Sequence, residues 1–251
     1  MPSLGDPIER RIAFIARLEP LIGTVAGLRV LDLGCGREGL WTRAYGVCGA
    51  RVVAIELDQA RCREAAAHLG RAERPRAGAA LLVRGDGEHL PLTSASCGFI
   101  HCAQVLEHVR SPRVFLGELC RVLVPGGFCY LTAINRHALR DPHFGVVGVN
   151  YLPRGLADRV LAWMGAVNPE GQPLSAMHYF SRRSFRALCA ASGLEMVGDL
   201  KRRERLARHG AVGGRLADLW GSAVRSAAFH LLVRRPVACS SGDVAAGRRV
   251  C

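Results

Sequence analysis

Residues 30–39 read VLDLGCGREG, an apolar run that breaks into a glycine-rich turn. Gly34 and Gly36 let the backbone turn sharply and approach a ligand closely, and free N–H groups at the start of the next helix, which carries Trp41, can meet a carboxylate or phosphate. A bare glycine pattern also serves dinucleotides, so the acids around it carry the discrimination. Asp32 lies two residues before the first glycine, placed to receive an ammonium group directly or through water. A dinucleotide has no such cation. Glu56 follows Gly36 by 20 residues, the distance at which a carboxylate accepts both hydroxyls of an adenine-linked ribose. Leu57 is placed to cover the adenine face, Asp86 in GDGEHLPL to accept from an adenine amino group, and Gly87 and Glu88 to offer backbone at the ring edge. Gln104 ends the fourth apolar run, over the middle of the crevice.

The residues able to move a proton are His108 in LEHV, His137, His143 in DPHF and His178 in SAMHYF. His143 is the preferred catalytic group because it sits among apolar residues, where an unpaired charge has little reason to be; His108, at the crevice floor, is the second. The bland reading makes His108 a packing or backbone-bonding residue. Cys102 does not read as a nucleophile, because a thiol buried in a strand is far commoner. The ten cysteines contain no Cys-x-x-Cys pair and several fall in apolar runs, so they read as reduced core residues, and no metal is assigned.

These groups require a scaffold that presents strand ends to a common crevice. Apolar runs at 28–33, 51–56, 80–85, 98–105 and 128–134 alternate with helical segments, which predicts a parallel sheet with helices on both faces. Three helices declare their starts: Asp6 before Pro7, Asp58 before QARCREAAAHLG, and Ser111 before Pro112. After residue 134 the rhythm breaks. Residues 135–180 are rich in Pro, Gly, His and aromatics around one helix at 153–165, as an inserted lid or acceptor-binding segment would be. A helix opening near Ser181, a strand ending near residue 200, a helix within 213–228 and a strand at 229–234 complete the sheet. Residues 1–235 are read as one domain and the aperiodic tail at 236–251 as disordered.

The 251 residues, 49% hydrophobic and 22% charged with mean hydropathy +0.14, fit a globular chain and exclude disordered or fibrous classes. No apolar stretch is long enough to span a bilayer, and MPSLGDPIERR turns charged too early for a signal peptide, so a cytoplasmic location is expected. The charge of +13 comes from arginines, Lys201 being the one lysine. They are dispersed except at 201–208, which argues against a nucleic-acid groove.

Five ordered motifs, VLDLGCG, VVAIELD, GDGEHLPL, AQVLEHV and LVPGGF, resemble the class I S-adenosylmethionine-dependent methyltransferases over residues 28–134, in the broad type 11-like group that includes the quinone-biosynthesis O-methyltransferases. The resemblance implies a doubly wound α/β fold with a mostly parallel seven-stranded sheet whose last strand is antiparallel. It implies S-adenosylmethionine as cofactor, with the methionine moiety at Asp32, Gly34, Cys35 and Gly36, ribose at Glu56, adenine at Leu57, Asp86, Gly87 and Glu88, and Gln104 beside the sulfonium. A fainter similarity over 135–154 is to members associated with sugar, glycolipid or polyketide tailoring. Two departures stand out: Glu38 and Gly39 lengthen the glycine turn by one position, and Gly98 replaces an aspartate that commonly opens strand four.

The expected activity is methylation of a small-molecule acceptor, at oxygen. The alternatives are an RNA or protein methyltransferase, disfavoured because Ala103-Gln104-Val105-Leu106 lacks the Asn/Asp-Pro-Pro-aromatic motif that binds a base amino group, and a non-catalytic S-adenosylmethionine-binding or interaction protein. Apolar and aromatic residues beside arginines at 144–165 also suggest peripheral contact with a lipid surface. Oligomeric state is not legible in the chain.

Overall fold

A computed structural model describes residues 6–71, 80–168, 170–200 and 226–237. The elements run α1 (Pro7–Ile22), β1 (Arg29–Leu33), α2 (Leu40–Val47), β2 (Arg51–Glu56), α3 (Gln59–Arg71), β3 (Ala80–Arg84), β4 (Cys97–Cys102), α4 (Pro112–Val122), β5 (Leu123–Ile134), α5 (Arg154–Trp163), α6 (Arg182–Ala191), β6 (Glu195–Asp199) and β7 (Ala228–Arg234). The seven strands form one sheet in the order β3-β2-β1-β4-β5-β7-β6, with β7 antiparallel to both neighbours. This is the doubly wound arrangement expected from the alternating pattern. The helix expected within 213–228 falls almost wholly outside the described residues, as do the 201–208 arginine cluster and the tail beyond 237.

Strand side chains alternate between faces, and the burial follows. Leu31 and Leu33 of β1 pack with Phe115, Leu116 and Leu119 of α4 and Phe185 of α6. Val30, one face over, packs with Ile15 and Leu18 of α1 and Tyr45 of α2. The side chains before the helices act as expected: Asp6 Oδ1 accepts from the Ile8 N–H at 2.8 Å, Asp58 Oδ1 from the Arg61 N–H at 2.8 Å, and Ser111 Oγ from the Val114 N–H at 3.4 Å. At α6, Ser181 and Ser184 each accept the other's backbone N–H in a reciprocal cap.

Two boundaries differ from the sequence reading. β4 stops at Cys102, so Gln104 lies beyond the strand; its φ of 59° is left-handed, and its N–H donates to Thr132 Oγ1 of β5 at 2.7 Å. That backbone cannot continue a strand and turns the chain out over the sheet edge. β5 begins at Leu123 rather than 128, because LVPGG pairs with β4 from Cys97 across a register shift before the apolar run starts. Gly98 meets Leu28, whose Cδ2 would lie 3.2 Å from a Cβ there, which gives the missing aspartate a packing reason.

Residues 135–180 form a cap with a small core of Val149, Ala157, Leu161 and Leu174. It returns to the sheet through the Asn135–Phe180 bridge and through the His178 N–H, which donates to the Glu107 carbonyl at 2.9 Å. Val147, Tyr151, Trp163 and Val167 of this segment are exposed, Trp163 at 85%. Among the described residues no helix is long and apolar enough to cross a membrane.

Candidate active site

β1 and β4 are neighbours at the point where the strand order reverses, so their following loops splay apart and leave a crevice, the usual ligand site of such a sheet. A cavity of about 1040 Å³ fills it. Its floor is Leu33 at the end of β1 with Gly34 and Gly36 after it; one end is Glu56 at the tip of β2 with Leu57 and Asp58, and Asp86, Gly87 and Glu88 after β3; the other is Gln104, His108, His143 and Gln172. Ten of the twelve residues expected at the site therefore line one continuous space.

The glycine turn is built by backbone. Gly34 and Gly36 have φ of 75° and 69°, and the Gly34 and Cys35 N–H groups donate to the Ile55 carbonyl. A Cβ on Gly34 would lie 2.4 Å from Val105 Cγ2, so no side chain fits. Gly36 lines the cavity and a Cβ there would meet no protein atom within 4 Å, which leaves its backbone open to a ligand. Glu56 is buried; its Oε2 accepts from the Gly36 N–H at 3.0 Å and its Oε1 from the Asp58 N–H at 3.1 Å. A carboxylate has about four acceptor positions, so two remain for a diol. The donor set and the cradle fit S-adenosylmethionine.

Asp32 and Cys35 are not at the cavity wall. Alternation turns Asp32 away from the Leu31 and Leu33 face, and its Oδ2 accepts from Thr42 Oγ1 of α2 at 2.6 Å with 1% of the residue exposed. Burial, partly offset by Thr42, pushes its pKa up to about 6. Two routes to an ammonium group are expected of Asp32, direct or through water; the Thr42 bond ties β1 to α2 and leaves Asp32 off the cavity wall. Cys35 packs with Ala54 of β2 and Ala65 of α3, and burial raises its thiol pKa far above the usual value. Both shape the turn from behind.

The adenine end holds a residue the sequence reading missed. Arg110 donates to Asp86 Oδ2 at 2.8 Å and to Glu88 Oε2 at 3.0 Å, and Glu88 Oε1 also accepts the Ser111 N–H at the start of α4. Asp86 Oδ1 accepts the Glu88 N–H at 2.9 Å. Glu88 therefore anchors α4 with its side chain, and only its backbone remains for a ring. No sequence signal marked Arg110, since its acids lie more than 20 residues upstream. Gly87 lies against Phe115, whose ring a Cβ would approach to 2.5 Å.

At the opposite end the four histidines separate. His108 and His143 line the cavity, whereas His137 and His178 do not. The His108 and His143 rings stand 5.5 Å apart, with His108 Nδ1 3.0 Å from Gln172 Oε1 and His143 Nδ1 3.2 Å from the Tyr179 hydroxyl. Burial, followed by the neighbouring His108, lowers the His143 pKa. Glu107 is fully buried, neither carboxylate oxygen has a hydrogen-bond partner among the described residues, and burial raises its pKa. His143 Nε2 stands 3.8 Å from Glu107 Oε1. Over the mouth, Arg61 of α3 pairs with Glu170 at 2.5 Å.

Residues 8–198 match the family described as a methyltransferase domain. Among curated relatives, the ubiquinone biosynthesis O-methyltransferase of Dechloromonas aromatica is 30% identical over 168 residues, 62% of this chain and 70% of that protein. The protein of the same name from Psychrobacter arcticus is 32% identical over 141 residues, 54% of this chain and 51% of its own length. Among solved structures, an S-adenosylmethionine-dependent methyltransferase from Methanosarcina mazei superposes with TM-score 0.59 at 19% identity, covering 84% of this chain and 93% of that one. Another, from Mesorhizobium loti, gives 0.59 at 18% identity, over 92% and 99%.

Proposed function

The chain belongs to the S-adenosylmethionine-dependent methyltransferases, and from that premise we propose that it methylates an oxygen of a small-molecule acceptor. The observation that carries this reading is the single cavity with a ribose-type carboxylate, Glu56, at one end and two histidines, His108 and His143, at the other.

S-adenosylmethionine supplies a methyl group on a positively charged sulfur: transfer forms the acceptor oxygen–carbon bond, breaks the sulfur–carbon bond and leaves the electron pair on sulfur. The chain's own task is placement and water exclusion. Glu56, held by the Gly36 and Asp58 N–H groups, takes the ribose hydroxyls. Leu57 and Gly87 bracket the adenine, with Asp86 and the Glu88 backbone at its edge. Gly34, Gly36 and Gln104 flank the methionine and sulfonium end. His143 and His108 are the groups placed to activate the acceptor hydroxyl, whose proton is lost as the oxygen becomes the nucleophile. Asp32 and Cys35 support the turn without touching the ligand.

Residues 135–180 support a second element of the proposal. The same segment exposes Val147, Tyr151, Trp163 and Val167 and also Arg136, Arg140 and Arg159, a composition suited to an anionic lipid surface from which an apolar acceptor would be drawn.

Calorimetric titration with S-adenosylhomocysteine tests the cofactor site, and labelled methyl transfer to a panel of phenols and catechols tests the acceptor class. Micromolar binding with transfer to oxygen upholds the proposal. Binding without transfer to any small molecule, together with salt-sensitive stimulation by RNA, would favour a nucleic-acid substrate instead. Binding with no transfer to any class would favour a non-catalytic role.

A further inference from the structure

The chain leaves β4 at Cys102 and then changes face. Cys102 is buried in the core shared with α4, Ala103 packs against the opposite core shared with α1 and α2, and Val105 and Leu106 are back in the first. Regular strand alternation would send Gln104 into the first core and Val105 into the second. The left-handed Gln104, with φ of 59°, reverses that order: it brings Val105 and Leu106 to the α4 side and leaves Gln104 exposed at the cavity. A residue other than glycine rarely keeps this conformation unless its surroundings enforce it. Neighbours on both sides do so here. Val105 Cγ2 lies against Gly34, where a Cβ would come within 2.4 Å, so the chain cannot relax toward the glycine turn. From the other side Thr132 Oγ1 accepts the Gln104 N–H at 2.7 Å. Thr132 is buried in β5, one residue beyond Leu131, which pairs with Cys102 at the last register of β4.

We propose that Thr132 is a positioning residue for the charged end of the cofactor: by holding the Gln104 N–H it fixes the left-handed turn that presents Gln104 to the sulfonium, and so makes the site prefer S-adenosylmethionine to S-adenosylhomocysteine. The inference rests on the methyltransferase reading and on the sulfonium lying beside Gln104. The two ligands share their adenine, ribose and amino-acid groups and differ at the sulfur, a methylated cation in one and a neutral thioether in the other. The carboxamide oxygen of a glutamine is the negative end of a dipole, so it attracts the first far more than the second. A glutamine on a loose loop spends that attraction on water, whereas one whose Cα–Cβ direction is set by the backbone holds it ready before the ligand arrives. The same preference helps the spent, neutral product to leave. Thr132 does not line the cavity and acts only through Gln104.

The test compares calorimetric affinities for both ligands in the full chain and in Thr132→Val, which keeps the shape and strand preference of the side chain and removes the acceptor. The expected result is a loss of about 5-fold or more for S-adenosylmethionine and of less than about 2-fold for S-adenosylhomocysteine, with the thermal midpoint little changed and faster hydrogen exchange at the Gln104 amide. Thr132→Ser, which returns the hydroxyl, should restore both the preference and the protection of that amide. In Gln104→Leu the same preference should be lost, and adding Thr132→Val to it should cost nothing more, because the pair acts as one unit. An unchanged preference in Thr132→Val overturns the proposal. So does equal weakening of both ligands with a lowered midpoint, which is a general loss of structure, and so does a further loss on the Gln104→Leu background, which would give Thr132 another route of action. In each of these the ligands still bind and the cofactor reading stands. Failure of the folded, unaltered chain to bind either ligand sinks this inference together with the methyltransferase reading, so the two failures are told apart.

Discussion

The two ends of the cavity treat buried carboxyl groups in opposite ways. At the cofactor end, Glu56 and Glu88 have every oxygen engaged, and each accepts a backbone N–H from the loops after β1, β2 or β4. At the acceptor end, Glu107 is as deeply buried and has no hydrogen bond on either oxygen among the described residues. The first arrangement is complete within the protein, which organises the loops before any ligand arrives. The second leaves a buried carboxyl group without a partner among the described residues. Glu56 both holds its loops and keeps acceptor positions for a ligand, whereas the Glu107 carboxyl group ties no loop in place among the described residues.

The largest effect that can break this contrast is at Glu56. Its carboxylate holds two backbone donors and is assigned two ribose hydroxyls; bonds to a charged group are worth about 1.5–3 kcal/mol each, so losing the ribose pair alone weakens binding by roughly 10²-fold or more. Titration of Glu56→Ala with S-adenosylhomocysteine should show that loss. Affinity within about 3-fold of the unaltered chain would mean that the cofactor end is not where the acids are.

Behind that end, His101 sharpens the comparison through pH. Its ring stacks 4.0 Å from Trp41 and 4.9 Å from Tyr130, and burial lowers its pKa to about 3. The unfolded chain takes up this proton near 6.5 and the folded chain only near 3, so the stability His101 contributes is full above pH 6.5 and falls on acidification, by about 1.4 kcal/mol per unit. Asp32, raised to about 6, acts in the opposite sense: its contribution grows as the pH falls from about 6 toward 3.8. The two oppose each other, so the informative quantity is the stability of His101→Phe minus that of the unaltered chain, in which Asp32 cancels. Urea denaturation at pH 7 and pH 4 should show that difference rising by about 3 kcal/mol in favour of the variant. A pH-independent difference would show that His101 titrates alike in both states.

At the acceptor end His143→Ala should lower kcat by about 10²-fold while changing S-adenosylhomocysteine affinity by less than about 3-fold, a split that a general loss of fold would not give. Equal losses in both would join the two ends into one site and remove the contrast.

These predictions divide along the line of what the chain itself made legible. The cofactor end could be read because each of its parts is local: a strand, a glycine turn and an acid at a strand tip repeat their spacing wherever the sheet is used, and the caps at Asp6, Asp58, Ser111 and Ser181 are visible within a few residues. Asp32 and Cys35 are buried behind the turn rather than on the cavity wall, which spacing does not reveal, since it locates a residue along the chain but not the direction its side chain takes. Arg110, Gln172 and Tyr179 left no trace, since each matters through a partner that only the folded chain brings near; His108 and Gln172 are 64 residues apart. Glu107 stood in plain view in LEHV, yet its lack of a partner among the described residues is a property of the packed interior.

On the exposed part of residues 135–180 the expected effect is smaller. Trp163, 85% exposed, would bury much of its ring against lipid, and removing a large apolar side chain from such a contact costs about 1.5–3 kcal/mol at most. Sedimentation with vesicles containing phosphatidylglycerol should therefore fall by about 10-fold in Trp163→Ser, with little binding to neutral vesicles in either form. Failure of the unaltered chain to sediment with anionic vesicles would remove the lipid surface and leave these exposed residues without this role.

The smallest effect belongs to Arg110, and its smallness is the informative part. The guanidinium bridges Asp86 and Glu88 in good geometry, but its side chain is 77% exposed, and water screens such an ion pair so that it contributes little. Glu88 keeps the Ser111 N–H and Asp86 keeps the Glu88 N–H when Arg110 is gone, so the loop retains its shape. Arg110→Ala should thus weaken S-adenosylhomocysteine binding less than about 5-fold, and raised salt should reduce even that difference. A loss near that of Glu56→Ala would mean that the adenine end depends on an exposed cation rather than on its backbone donors, and the cofactor end would then no longer be held by its own loops alone, as the contrast with Glu107 requires.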